Sequence, residues 1–162
     1  MNEDEITYQQ AKMLFDQAYQ LQTKGELADA INLYKQSIAI HPTAEAYTFL
    51  GWTYGMLKRF DEAIAMCQQA IATDPAFGNP YNDIGAYLIE QKQWEEAIPW
   101  LEQAIQAPRY DARQYPYMNL GRVYERLGQY RAALACYENA LAIDPFYLTA
   151  RWAKQALLGK MN

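Results

Sequence analysis

The residues that could perform chemistry are few and poorly placed for it. The chain holds one histidine, His41, and two cysteines, Cys67 and Cys136. A Ser-His-Asp or Cys-His pair would need His41 as its base, yet His41 stands just before Pro42 with no second histidine and no metal-ligand spacing near it. It reads as a solvated turn residue. The eight glycines stand singly, so no loop is built to cradle a phosphate. Paired carboxylates such as Glu95 with Glu96 read as hydrated helix surface. The catalytic, cofactor-binding and metal-binding sets are therefore read as none, and the chain as no enzyme.

With chemistry set aside, the elements that would position a binding surface come forward, and the segment from Ala44 to Phe77 shows them most clearly. Tyr47, Leu50, Gly51 and Tyr54 fall at i, i+3, i+4 and i+7, so they share one helix face. Lys58 and Arg59 interrupt that pattern. Phe60 opens a second helix whose inner face carries Ala63, Ile64, Cys67, Ala70 and Ile71, and the Asp74-Pro75 pair ends it because proline pushes its predecessor out of the α region.

The same unit recurs. The small residue of the first helix returns as Ala18, Gly51, Gly85 and Gly121, at spacings of 33, 34 and 36 residues. In the second helix Ala30, Ala63, Ala97 and Ala133 are followed by Ser37, Ala70, Ala104 and Ala140, with stops at Pro42, Pro75, Pro108 and Pro145. Large residues alternate with the small ones. Leu14, Tyr47, Tyr81 and Tyr117 open the first helices, Leu21, Tyr54, Leu88 and Tyr124 close them, and Leu27, Phe60, Trp94 and Tyr130 begin the second. Cys67 and Cys136 are read as taking the same place in the second and fourth units. A whole hairpin then separates them, too far for a disulfide, so both are expected to be buried, reduced packing residues.

This order of small and large positions over residues 11–147 resembles the tetratricopeptide repeat family, whose signature is a helix-turn-helix of about 34 residues. The resemblance implies an all-α fold, a right-handed αα-superhelix of stacked hairpins in which each unit covers the apolar face of its neighbour. The expected division is a lead-in at 1–10, repeats at 11–43, 44–77, 78–113 and 114–147, and a capping helix and tail at 148–162. That last helix is expected to bury Leu148, Trp152, Leu157 and Leu158. The stretch before residue 10 reads as a frayed lead-in or one extra turn. Two extra residues fall in the connection 107–114, which reads as drift or as a contact site. The GNPYNDIGAYLIE and APRY segments are similar to those of small bacterial members of the family.

Composition narrows the partners. Fourteen basic against nineteen acidic residues leave a net charge of −5, which argues against a nucleic-acid surface. The acidic start lacks the features of a secretory signal, and no apolar run approaches membrane-spanning length. The expectation is a cytoplasmic protein without membrane insertion, a monomer or weak homo-oligomer.

In this family the concave face, formed by the first helix of each unit, generally holds a peptide. Projected opposite the core, the first two units offer Lys12, Phe15, Asp16 and Tyr19, then Thr48, Phe49, Trp52 and Met56. The third offers Asn79, Asn82, Asp83 and Ile89, and the fourth Tyr115, Met118, Asn119, Arg122 and Arg126. One half is aromatic and the other basic. Burying one aromatic of ~150–250 Å² is worth about 4–6 kcal/mol gross, and two such anchors, less association costs, give affinity on the order of micromolar.

The expected function is a scaffold or adaptor that binds a partner segment. A self-assembling or complex-assembly protein, similar in length and repeat content to small bacterial secretion chaperones, is the competing expectation, with the aromatic half or the 107–114 loop as its interface. Chaperone-binding relatives clamp a terminal carboxylate with lysine, asparagine and arginine over three units. Here the matching places are Phe15, Tyr19, Phe49, Asn79 and Asp83 or, one unit later, Thr48, Trp52, Asp83, Tyr115 and Asn119, and neither register has the positive charges.

Overall fold

The computed structural model describes residues 1–162, and every regular element in it is an α-helix. The helices are α1 (Glu3–Thr23), α2 (Leu27–Ile40), α3 (Ala44–Met56), α4 (Phe60–Thr73), α5 (Asn79–Glu90), α6 (Trp94–Gln106), α7 (Gln114–Arg126), α8 (Tyr130–Ile143) and α9 (Leu148–Met161). The four second helices begin on Leu27, Phe60, Trp94 and Tyr130, the residues that the repeat pattern marks. Two compact units divide the chain, residues 1–80 and 81–162.

Each hairpin turns in the same way. Gly25, Lys58, Lys92 and Gly128, each two residues before a second helix, take positive φ of 82°, 58°, 61° and 76°. The amide after each one donates back to a carbonyl near the end of the preceding helix: Glu26 to Leu21, Arg59 to Tyr54, Gln93 to Leu88 and Gln129 to Tyr124, at 2.8 to 3.0 Å. This is a left-handed helix stop that satisfies carbonyls the helix end would leave bare.

The other ends are closed by side chains. Asp74 Oδ1 accepts from the Ala76 amide and Asp144 Oδ1 from the Phe146 amide, both at 3.0 Å. Thr43 caps α3 by accepting from the Ala46 amide at 3.1 Å.

Small residues set the spacing of the helices. Ala30, Ala63, Ala97 and Ala133 are fully buried, as are Ala70, Ala104 and Ala140. A Cβ on Gly85 would fall 2.5 Å from Leu101 Cγ, and one on Gly121 would fall 2.6 Å from Tyr137 Cδ1. At Gly51 the nearest atoms would be the Ala63 carbonyl oxygen at 3.0 Å and Cys67 Sγ at 3.3 Å. So Cys67, Leu101 and Tyr137 do the same packing job. The fourth-unit counterpart of Cys67 is therefore Tyr137, and Cys136 is offset from it by one residue, which corrects the sequence alignment of the two cysteines. Both are free and buried.

Tyrosines replace the aliphatic core residue in the outer units and bring a polar end with them. Tyr34 Oη donates to Gln22 Oε1 at 2.6 Å, and Tyr137 Oη donates to Glu125 Oε2 at 2.7 Å. Both tyrosines are almost wholly enclosed, so each buried hydroxyl meets the acceptor that its burial demands.

At the two ends the sequence expectations need revision. The N-terminal stretch is neither frayed nor a single turn, because α1 starts at Glu3. Asn2 Oδ1 accepts from the Glu5 amide at 2.8 Å, and Glu3, Asp4 and Glu5 place negative charge at the positive helix end. At the other end α9 buries Ala150 and Leu157 against Met118, Ala133, Tyr137 and Ala140. Leu148 and Trp152 face solvent instead, at 51% and 66% exposure, because the stripe at 150, 153 and 157 is the one α8 covers.

Candidate binding surfaces

In residues 1–80 the aromatic side chains expected to line a groove form a connected set. Phe49 of α3 is its hub, edge-on to Phe15 at 5.2 Å, Tyr19 at 5.7 Å and Trp52 at 5.8 Å between ring centroids. Phe15 also meets the buried Tyr34 at 5.5 Å. The inner members therefore rest on the core while the outer ones reach water: Tyr19, Trp52 and Met56 are 40%, 49% and 48% exposed. Met56 has a polar contact too, since Gln22 Nε2 donates to its sulfur at 3.6 Å.

Beside this set lies a cavity of about 460 Å³. Phe15, Tyr19 and Phe49 form its aromatic wall, Ala11 and Ser37 its floor, and Lys12, Asp16 and Glu45 its charged rim. Tyr8, which the sequence reading left out, lines it as well. Its ring stands edge-on to His41 at 5.4 Å, so His41 is a packed ring and more than a solvated turn residue. Thr48, by contrast, is buried, with its hydroxyl donating to the Ala44 carbonyl at 2.7 Å.

In residues 81–162 the expected site residues separate. Met118 belongs to the core around Tyr137 and Leu157, and Ile89 is buried. Asn82 is buried also, its Oδ1 accepting from Asn119 Nδ2 at 3.0 Å. Asn119 in turn accepts a long 3.4 Å bond from Arg122 Nη1. Tyr115 is half exposed and edge-on to Tyr147 at 5.6 Å. Asn79, the first residue of α5, belongs to residues 1–80 and is partly covered. Burial lifts the Asp83 carboxyl to about 7, and that carboxylate, after burial itself, helps push the Tyr110 phenol up.

The lengthened connection after α6 is braced from within. Arg113 donates from Nε to the Ile105 carbonyl at 2.9 Å, from Nη1 to Tyr110 at 2.5 Å and from Nη2 to Ala107 at 2.6 Å. One guanidinium thus satisfies three carbonyls that two extra residues would otherwise leave without a ladder.

A second cavity of about 460 Å³ lies in these same residues, between Trp94, Arg122, Glu125, Arg126, Tyr130 and Lys160. The Arg126 guanidinium sits over the Trp94 ring at 5.5 Å. Lys160 Nζ donates to Glu125 Oε1 at 2.8 Å. Burial raises the Glu125 carboxyl, but the bonds from Lys160 and Tyr137 outweigh it and hold the group below its usual range. The repeat pattern pointed to Arg122 and Arg126. It could not supply Trp94, Tyr130 and Lys160, because they come from a second-helix start and from the last turn of α9. No group of three or more metal-binding side chains comes together anywhere, and no helix is long and apolar enough to cross a membrane.

Comparison with known proteins agrees with this geometry. The tetratricopeptide repeat family models match residues 44–77 and 78–145. Among curated proteins, anaphase-promoting complex subunit 6 of Arabidopsis thaliana is 23% identical over 142 residues, a match that takes in 85% of this chain. It covers only 26% of that protein, so this chain spans about a quarter of the relative.

Among solved structures, one from a functional characterization of Pseudomonas aeruginosa pilF superposes with a TM-score of 0.88 at 22% identity, covering 99% of this chain and 71% of that one. YrrB, described as a TPR protein with an unusual peptide-binding site, gives 0.69 at 20% identity, with 91% and 76% covered. At such identities the likeness speaks for the fold, an all-α helical repeat superhelix. Taken with the matched repeats and the four equivalent turns, it shows that the chain belongs to the tetratricopeptide repeat family.

Proposed function

We propose that this chain is a non-enzymatic interaction module, a scaffold or adaptor that holds a segment of another polypeptide on the faces of its first helices. The observation that carries the reading is the aromatic set of Phe15, Tyr19, Phe49 and Trp52. Its inner members, Phe15 and Phe49, pack on the core, while its outer members, Tyr19 and Trp52, are left half exposed, Tyr19 on the wall of a cavity. An apolar side chain from a partner would find there an edge-to-face environment of the kind that aromatic clusters favour. Met56 extends the set within residues 1–80, and within residues 81–162 Tyr115, Asn119, Arg122 and Arg126 are the first-helix side chains offered for binding. YrrB, with its peptide-binding site, supports the reading by analogy of fold.

Affinity capture from a lysate tests it, with the wild-type chain against Trp52→Ala and against the Trp52→Ala, Arg122→Glu pair. Both side chains are solvent-exposed, so the melting temperature should hold while specific partners fall away. Retention of every specific partner by the double variant would rule the surface out.

A further inference from the structure

The cavity between Trp94 and Lys160 carries a charge that the fold does not use. Its only carboxylate, Glu125, is engaged twice, by Lys160 and by the Tyr137 hydroxyl. Arg122 and Arg126, one helical turn apart on α7, have no carboxylate partner of their own. Arg122 reaches Asn119 at 3.4 Å, and Arg126 rests on the Trp94 face. On a chain of net charge −5, two guanidiniums facing one cavity without an acidic partner are out of balance with their surroundings. Stacking on Trp94 also restrains Arg126, so less freedom is lost when its planar fork meets an oxyanion.

We propose that the Arg122–Arg126 cavity binds a carboxylate side chain from an acidic stretch of a partner polypeptide. This rests on the reading of the chain as a polypeptide-binding module and names the chemistry of what residues 81–162 would hold. The guanidiniums supply paired N–H donors matched to a carboxylate. Tyr130 and Trp94 provide walls for the aliphatic stem of a glutamate. A nucleic acid would require a run of phosphate contacts, and a membrane surface a cluster of four to eight basic residues. Two arginines without a carboxylate partner, on an acidic chain, match neither. The cavity also differs from the carboxylate clamp of chaperone-binding relatives, because Trp94, Tyr130 and Lys160 belong to second helices and to α9.

Isothermal titration of the full chain with an acetylated, amidated hexaglutamate peptide at low ionic strength tests the proposal. The wild-type chain should bind, and Arg122→Gln with Arg126→Gln should weaken binding ~10-fold or more. Glu125→Gln removes the one negative charge from the cavity and frees Lys160, so it should tighten binding ~3-fold. Absence of wild-type binding, or equal binding by the arginine variant at an unchanged melting temperature, overturns the proposal. So does tighter binding, through the same arginines, of a ten-nucleotide oligothymidylate or of phosphatidylserine vesicles. If Trp52→Ala alone loses lysate partners while the arginine variant keeps them all, the module reading stands and the carboxylate site falls.

Discussion

Asp83 is the residue at which folding and surface charge conflict most sharply. Its carboxyl, lifted to about 7 by burial, keeps its proton in the folded chain when the unfolded chain has already lost it near 3.8. Stability from this group is thus fully present below about pH 4 and is lost as pH rises through 7. Asp83→Asn should leave melting unchanged near pH 4 and raise stability at pH 8 by on the order of 2–4 kcal/mol. Thermal melts of both chains across that range read the difference, and parallel curves would refute the enclosed carboxyl. The sequence placed Asp83 on a first-helix face but could not show its enclosure, since helical spacing gives direction and not depth. Met118 was misjudged for the same reason. It lies off the stripe of Tyr117, Leu120 and Gly121 and yet shares a core cluster with Leu157 of α9, which no local pattern reveals.

At the level of elements, the turns are where sequence and conformation are least matched. Gly25 and Gly128 adopt positive φ freely, whereas Lys58 and Lys92 bear a Cβ in the same left-handed conformation. Neither lysine amide can be spared, since Lys58 donates to the Gly55 carbonyl and Lys92 to the Ile89 carbonyl, both at 2.9 Å. Lys58→Gly and Lys92→Gly should each stabilise the chain by about 0.5–1 kcal/mol, seen as a higher urea midpoint at constant slope. A lower midpoint would mean that the side chain gives more than the backbone loses.

Helix starts and the small residues between helices were legible because steric limits act locally and repeat. The buried face of α9 was legible only at Leu157, while Leu148 and Trp152 fall outside it. Its sequence carries two apolar stripes, and only the shape of α8 selects the one through Ala150 and Leu157.

Across the whole molecule, four hairpins use one turn geometry and one set of small residues, and α9 lies on α8 with Ala150 and Leu157 in the core of the last hairpin. In such chains stability is approximately a sum of unit and nearest-neighbour contributions. That additive character makes the molecule extensible. A further copy of residues 114–147 spliced between Tyr147 and Leu148 would offer α9 the same seat one storey higher. Calorimetry should find a single transition at higher temperature, whereas a lower or split one would show that α9 is tailored to its present seat. Length, in a protein made this way, is a quantity that duplication can adjust without inventing any new joint.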